Sequence, residues 1–73
     1  MGRFLAERYF VRSSDSPLVG VRSDTGAVLL ETLYLPDDEI CLYLFESESV
    51  ERVGDAGEFD RIAPVVQVEE ETG

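Results

Sequence analysis

Two strongly apolar segments joined by a polar turn dominate the hydrophobic pattern of the chain, over residues 28–46 (VLLETLYLPDDEICLYLFE). Val28–Leu35 and Ile40–Phe45 are rich in Val, Ile, Leu, Tyr and Phe, the residue types that favour β-strands. The Pro-Asp-Asp sequence at 36–38 supplies residues typical of a turn. The pattern therefore predicts a β-hairpin.

The second strand of this hairpin is apolar on both faces instead of alternating between apolar and polar side chains. Its faces carry Ile40, Leu42 and Leu44 on one side and Cys41, Tyr43 and Phe45 on the other. Strands of this type are buried on both sides. A helix can cover one face, but 73 residues leave little chain for the second. We therefore expect a second copy of the chain to cover it.

Two further strands are predicted, one on each side of the hairpin in sequence. Arg3–Arg12 is the first, and Ile62–Glu69 is the last. Pro64 has no amide hydrogen to donate, so it indicates that part of the last strand lies at a sheet edge. Residues 70–73 form an acidic tail that we expect to be flexible. The first strand alternates between two faces, with Phe4, Ala6 and Phe10 on one and Leu5, Tyr9 and Val11 on the other.

One helix is predicted at Ser47–Gly54. Ser47 is suited to cap its amino end, and glycine is suited to end it. Val50 and Val53 lie three residues apart and would face the sheet. The helix is short, so it can cover only a small part of one sheet face.

The segment Leu18–Arg22 has two interpretations. A short strand is favoured, because Gly20 and the two valines beside it weaken a helix. The alternative is a helix opened by Ser16 with Pro17 at its first position. The complete prediction is a single α+β domain over residues 1–69, with a mainly antiparallel sheet and one or two short helices.

Sixteen acidic residues against six arginines give the chain a formal net charge of −10, and it contains no lysine. Such a surface repels phosphate backbones and anionic lipid, so we expect neither nucleic acid nor a membrane as a partner.

No segment is apolar for long enough to span a bilayer, and the first ten residues lack a secretory signal, so a cytoplasmic location is predicted. The acidity indicates either a high-salt or lysine-poor source, which we favour, or a DNA-like surface for a basic protein partner.

The residue inventory excludes several kinds of catalytic site. The chain has no histidine, which removes Ser-His-Asp triads, Cys-His pairs and histidine ligands for zinc or nickel. The single cysteine, Cys41, is predicted to be a small buried hydrophobic residue. There is no glycine-rich phosphate loop. An enzymatic function is therefore not favoured.

Polar groups within the apolar strands are the candidate ligand-binding residues. Glu7, Glu31 and Tyr43 are candidate ligands for a divalent metal ion, with Arg8 and Cys41 as further ligand contacts, if the faces that carry them line one cavity. The alternative is that Glu7 and Glu31 pair with arginines at a sheet edge or at the rim of a dimer. Alternation alone does not say which face lies inside.

Three segments of the chain resemble the small ferredoxin-like proteins of domain-of-unknown-function family 4242, which includes a nickel-binding member. They are RFLAERYF at 3–10, ETLYLPDDEICLYLFE at 31–46 and FDRIAPVVQVE at 59–69. The resemblance implies a β-α-β-β-α-β order and a homodimer in which the sheets of two chains form a barrel. Both helical segments are shorter here than in the family. The lack of histidine leaves no metal ligand to carry over.

Two functional hypotheses follow. The first is a non-enzymatic dimeric binding module that holds a divalent metal ion or a small ligand inside the barrel. The second is an acidic protein-interaction or structural oligomerisation module without a small ligand. An enzyme of the dimeric ferredoxin-like monooxygenase type is less favoured, because the chain supplies little of the pocket chemistry that such enzymes use.

Overall fold

The computed structural model describes residues 2–9, 16–18, 20–66 and 68, which form an α+β fold. Within them lie four strands and one short helix: β1 (Gly2–Tyr9), β2 (Val28–Leu35), β3 (Ile40–Ser47), α1 (Val50–Asp55) and β4 (Arg61–Val65). The strands form one sheet in the order β2-β3-β1-β4, and every neighbouring pair is antiparallel. The predicted fold class is confirmed at this level.

The predicted hairpin is confirmed, with β2 and β3 joined by a turn at residues 36–39. The amide of Asp38 donates to the carbonyl oxygen of Leu35 at 3.2 Å, and the amide of Glu39 donates to that of Pro36 at 3.3 Å. Glu39 has φ of 53°, in the left-handed region. A β-bulge between Leu29 and Glu31 interrupts the regular pairing of β2.

We expect Glu39→Gly to stabilise the protein by about 0.5–1 kcal/mol, because glycine adopts the left-handed conformation without the steric cost that a Cβ atom brings. Urea unfolding followed by circular dichroism would measure the change. Asp38→Gly is the matched control in the same turn. Since Asp38 does not have a positive φ, its replacement should give no gain. A loss of stability in Glu39→Gly would contradict the prediction.

The two faces of the sheet differ in what covers them. On β3 the side chains of Cys41, Tyr43, Phe45 and Ser47 are buried, and the intervening ones are partly exposed. The ring of Phe59 contacts the buried face, with its centre 5.3 Å from that of Tyr43 and 5.8 Å from that of Phe45. Val53 of α1 and Ala56 belong to the same core. We call this side of the sheet the inner face.

We call the opposite side of the sheet the open face. Among the described residues, no helix or loop packs against it as part of the core. Its members follow from the strand register, since residues paired in neighbouring strands point to the same side. They are Arg3, Leu5, Glu7 and Tyr9 on β1, Val28, Glu31, Leu33 and Leu35 on β2, Ile40, Leu42, Leu44 and Glu46 on β3, and Arg61, Ala63 and Val65 on β4.

The predicted strand at 18–22 is wrong for the described part of that segment, and so is the alternative helix. The amide of Val21 donates to the carbonyl oxygen of Leu18 at 3.1 Å, which closes a tight turn. Gly20 within it has φ of +83°, a conformation that favours glycine. The amide of Arg22 then donates to the carbonyl oxygen of Ala56 at 2.6 Å. The segment therefore lies against the end of α1 rather than pairing in the sheet.

The predicted helix exists but begins later than predicted. Helix α1 starts at Val50 after Ser49 as its N-cap residue, while Ser47 is the last residue of β3. The reason lies in the pairing of β1 with β3, which continues as far as Gly2 opposite Ser47 and holds the segment extended. Val53 is buried as predicted, but Val50 is 42% exposed, so only one of the two valines packs on the sheet.

The outer strands are confirmed with shorter bounds. The described part of β1 ends at Tyr9, and the rest of the predicted strand, at 10–12, lies outside the described residues. Strand β4 covers Arg61–Val65 and lies at an edge of the sheet, as Pro64 predicts. The predicted tail at 70–73 also lies outside the described residues. On β1, Phe4 and Ala6 belong to the inner face and Leu5 and Tyr9 to the open face, as predicted.

Candidate functional site

Arg8 projects from β1 on the inner face, where the register places it opposite Cys41. Its Nη2 atom donates to the hydroxyl oxygen of Tyr43 at 2.7 Å and to the carbonyl oxygen of Pro17 at 2.7 Å. The guanidinium carbon lies 5.3 Å from the centre of the Tyr43 ring, within the range of a cation–π contact. Arg8 therefore joins the sheet to the loop that follows β1.

Tyr43 completes this network from β3. It is fully buried, and its hydroxyl donates to the carbonyl oxygen of Pro17 at 2.5 Å. Burial raises the pKa of the Tyr43 phenol above its usual value of 10.0; a hydrogen bond with the Cys41 thiol adds to the rise, and the Arg8 guanidinium opposes it. The neutral phenol is thus favoured. Tyr43 and Arg8 together fasten Pro17 to the inner face.

A cleft of about 500 Å³ opens beside this network, between the segment around residues 20–22 and the carboxyl end of α1. Seven residues line it, and they comprise two arginines, two acidic residues and three glycines: Arg8, Arg22, Gly20, Gly54, Asp55, Gly57 and Glu58. The cleft lining carries charges of both signs together with three glycines. Its volume lies in the range typical of small-molecule sites.

Arg22 is held by its backbone and not by its side chain. Its amide is bonded to Ala56, as described above, whereas its guanidinium makes only an exposed ion pair with Asp24 at 3.1 Å among the contacts recorded for the described residues. The hydrogen bond and charge of Arg22 lower the pKa of the Asp24 carboxyl below its usual value of 3.8. Exposed pairs of this kind contribute little to stability. The guanidinium is therefore available to exchange partners.

Glu7 and Glu31 lie on the open face, on the side of the sheet away from the cleft. Glu7 is opposite Leu42 of β3 and Arg61 of β4, and Glu31 is opposite Leu44. Two strand spacings and a two-residue offset separate the two glutamates, a distance of roughly 11–12 Å between their backbones.

The structure does not bring the predicted metal ligands together. Glu7 and Glu31 are on the open face, while Tyr43 and Cys41 are buried in the inner face. The two-residue period of a strand causes this division, because neighbouring positions point to opposite sides. Over the described parts of the chain, no group of three or more Cys, Asp or Glu side chains is placed to hold a metal ion. Of the predicted ligand contacts, Arg8 alone lines the large cleft.

Sequence reasoning missed six of the seven residues that line the cleft: Gly20, Arg22, Gly54, Asp55, Gly57 and Glu58. Gly54 and its neighbours read as the end of a helix, which is also what the structure contains. The sequence did not indicate where residues 20–22 lie in the fold. They form a turn without a hydrophobic pattern, and such a turn does not indicate which element it packs against. The described residues also contain no helix long and apolar enough to cross a membrane.

Comparison with known proteins gives this chain no family assignment. No protein-family model, no curated protein and no solved structure matches it. The resemblance to domain-of-unknown-function family 4242 therefore stays a prediction. Function has to be argued from the two surfaces just described, the open face of the sheet and the cleft on its other side.

Proposed function

We propose that this protein is a small non-enzymatic binding module that works as a homodimer, with the open faces of two sheets packed against each other. The observation that supports this is the apolar character of the open face. Its centre is formed by Leu5, Leu42 and Leu44. On β2 it continues through Leu33, Leu35 and Val28, and each of these three residues is more than 40% exposed. Contiguous apolar surfaces of this kind mark interaction sites.

The open face is large enough for a dimer contact. Four strands at the usual spacing, with eight residues in the longer ones, give a footprint of about 19 Å by 27 Å, or roughly 500 Å² for each copy. Two copies together bury about 1,000 Å² by this measure, the size at which specific interfaces begin. Protruding side chains add to that area.

Charge favours a second copy over a basic partner on this face. The open face carries two arginines, Arg3 and Arg61, and three glutamates, Glu7, Glu31 and Glu46, for a net charge of −1, against −10 for the whole chain. Arg3 and Glu46 already lie 3.6 Å apart. A nearly neutral, apolar face is complementary to a copy of itself.

The strand order supports the same proposal. The order β2-β3-β1-β4 with antiparallel neighbours is the order expected of a β-α-β-β-α-β ferredoxin-like plan, which is our proposal for the topology. The segment between β1 and β2 forms turns wherever it is described, at 16–18 and 20–27. Over the described residues a single short helix covers the inner face, and a chain of this size with a small core gains stability by pairing.

Light scattering at low and high salt tests the dimer. We expect about twice the chain mass of 8.1 kDa at both salt concentrations. We also expect tighter association at high salt, because screening reduces the repulsion between two chains of charge −10. A monomer under both conditions would remove the proposed dimer.

The acidic surface supports the second candidate function, docking to a basic protein. Acidic residues are exposed in the hairpin turn at 37–39 and around α1, at Glu48, Glu51, Asp55 and Glu58. Binding of this kind weakens as salt rises, opposite to the expected behaviour of the dimer. A metal ion is not part of the proposal, since the candidate ligands do not converge on one point of the described chain.

A further inference from the structure

We propose that the cleft between residues 20–22 and the end of α1 binds a small zwitterion of the α-amino acid class, a molecule with one carboxylate and one ammonium group. The inference extends the proposed binding role by naming its ligand class. It does not require the dimer, because the cleft lies on the inner side of the sheet, away from the open face.

The arrangement of charge selects this class. The arginines, Arg8 and Arg22, come from β1 and from the loop that packs on α1, while the acidic residues, Asp55 and Glu58, come from the end of the helix and the segment after it. An anion would meet two carboxylates in the cleft, and a cation would meet two guanidinium groups. A dipolar ligand can direct each of its charges to the side chains of opposite sign.

Arg22 is the residue we expect to contact the ligand carboxylate. Its backbone is fixed by the 2.6 Å hydrogen bond to Ala56, so the position of the side chain is set from the helix end. Its ion pair with Asp24 is exposed on both sides and contributes little to stability, so a ligand carboxylate can replace the Asp24 carboxylate. Arg8 adds a second positive charge to the cleft lining while it holds Pro17 and Tyr43.

Gly54 also lines the cleft, next to these charged residues. It lies inside a six-residue helix, where glycine costs about 1 kcal/mol relative to alanine. The backbone conformation at this position does not require glycine, because φ is not positive. Space does not require it either, since an added Cβ atom would meet only the Cδ1 atom of Ile62, at an ordinary 3.9 Å. The effect of the missing side chain is to leave the wall of the cleft open. By contrast, a Cβ atom added at Gly57 would lie 2.9 Å from the Cζ atom of Phe59, so space favours glycine there.

Amide NMR shifts of the full chain, titrated with L-alanine, L-leucine and L-glutamine to about 10 mM, test the proposal in the affinity range expected of a small open site. We expect saturable shifts at residues 20–22 and 54–58. For the tightest ligand, the analogue without the ammonium group and the analogue without the carboxylate should each bind about tenfold more weakly. Equal binding of either analogue, or no localised shift with any of the three, would overturn the proposal.

Three variants locate the site. Arg22→Gln and Glu58→Gln change exposed side chains and should each weaken binding about tenfold. Gly54→Leu should abolish binding while leaving the fold intact, because leucine is the better helix former. Glu51→Gln is the matched control, an exposed helix residue outside the cleft lining, and should bind as the unmodified chain does. Unchanged binding in Arg22→Gln and Gly54→Leu would place the ligand elsewhere and overturn the proposal.

The same samples separate this inference from the proposed dimer. Light scattering reports the mass, and the amide shifts report the cleft. A monomer that binds the zwitterion would keep the inference and remove the dimer. A dimer without localised shifts would keep the dimer and remove the inference.

Discussion

Leu33→Glu is expected to convert the proposed homodimer into a monomer. Leu33 lies on the open face opposite Leu42 and is 49% exposed in the single chain, so a glutamate there is tolerated before association. In the dimer the carboxylate would be buried against the apolar face of the second copy, and the symmetry of the dimer would introduce two such charges. We expect the dissociation constant to rise at least about 100-fold, or roughly 3 kcal/mol. Light scattering over a dilution series would measure it.

Leu18→Glu is the matched control for this experiment. Leu18 is also 49% exposed, and the substitution adds the same charge, but Leu18 lies in the loop on the inner side of the sheet. It should leave the mass at that of a dimer. If both variants dissociate, the added charge and not the open face is responsible; if neither does, the open face is not the dimer interface.

Tyr43→Ala is expected to destabilise the protein by about 3–5 kcal/mol, through the cavity left by the ring and the loss of its contacts with Phe59. A chain of 73 residues has a total stability of about 4–11 kcal/mol. The variant is therefore expected to lose a large part of its stability and to unfold at a much lower urea concentration than the parent chain. Urea unfolding followed by circular dichroism would detect this, and a native midpoint would contradict it.

Tyr43→Phe separates the contribution of the ring from that of the hydroxyl. It keeps the ring and removes the bonds to Pro17 and Arg8, which should cost about 1–2 kcal/mol. Because burial raises the pKa of Tyr43 in the folded chain, its contribution is fully present below pH 10 and is lost as the pH rises above it. The phenylalanine variant should lose less stability than the parent between neutral pH and pH 11. Equal losses in both would show that Tyr43 is not responsible.

Much of the sheet could be predicted because strand patterns are local. The hairpin, the edge position of Pro64 and the two apolar faces of β3 each follow from neighbouring residues, and each is confirmed. The helix was placed too early because the pairing of Gly2 with Ser47 extends β3, and that contact joins residues 45 positions apart. Pairing over such distances leaves no local mark on the sequence.

The candidate site was only partly predictable. Arg8 was identified because a charge within an apolar strand needs an explanation, and the structure places it in the cleft. Strand alternation predicts the same face for Leu29 and Glu31, which are two residues apart, but the bulge between them puts Leu29 against the core and Glu31 outside. One extra residue shifts the two-residue alternation of the strand by one position, so the residues after the bulge point to the opposite face from the one that alternation predicts. Arg22 and Glu58 could not be foreseen, because tertiary contact alone brings their segments together.

The bulge in β2 has a further consequence, together with the proline at the opposite end of the sheet. β2 and β4 are the two edge strands, and an exposed edge is a template on which further chains can add without limit. The bulge breaks the regular row of amide and carbonyl groups along one edge, and Pro64 removes a donor from the strand at the other. Growth of the sheet into filaments is thus discouraged at both ends. In the proposed homodimer the contact is made by a face instead of an edge, and a face-to-face pair closes after two copies.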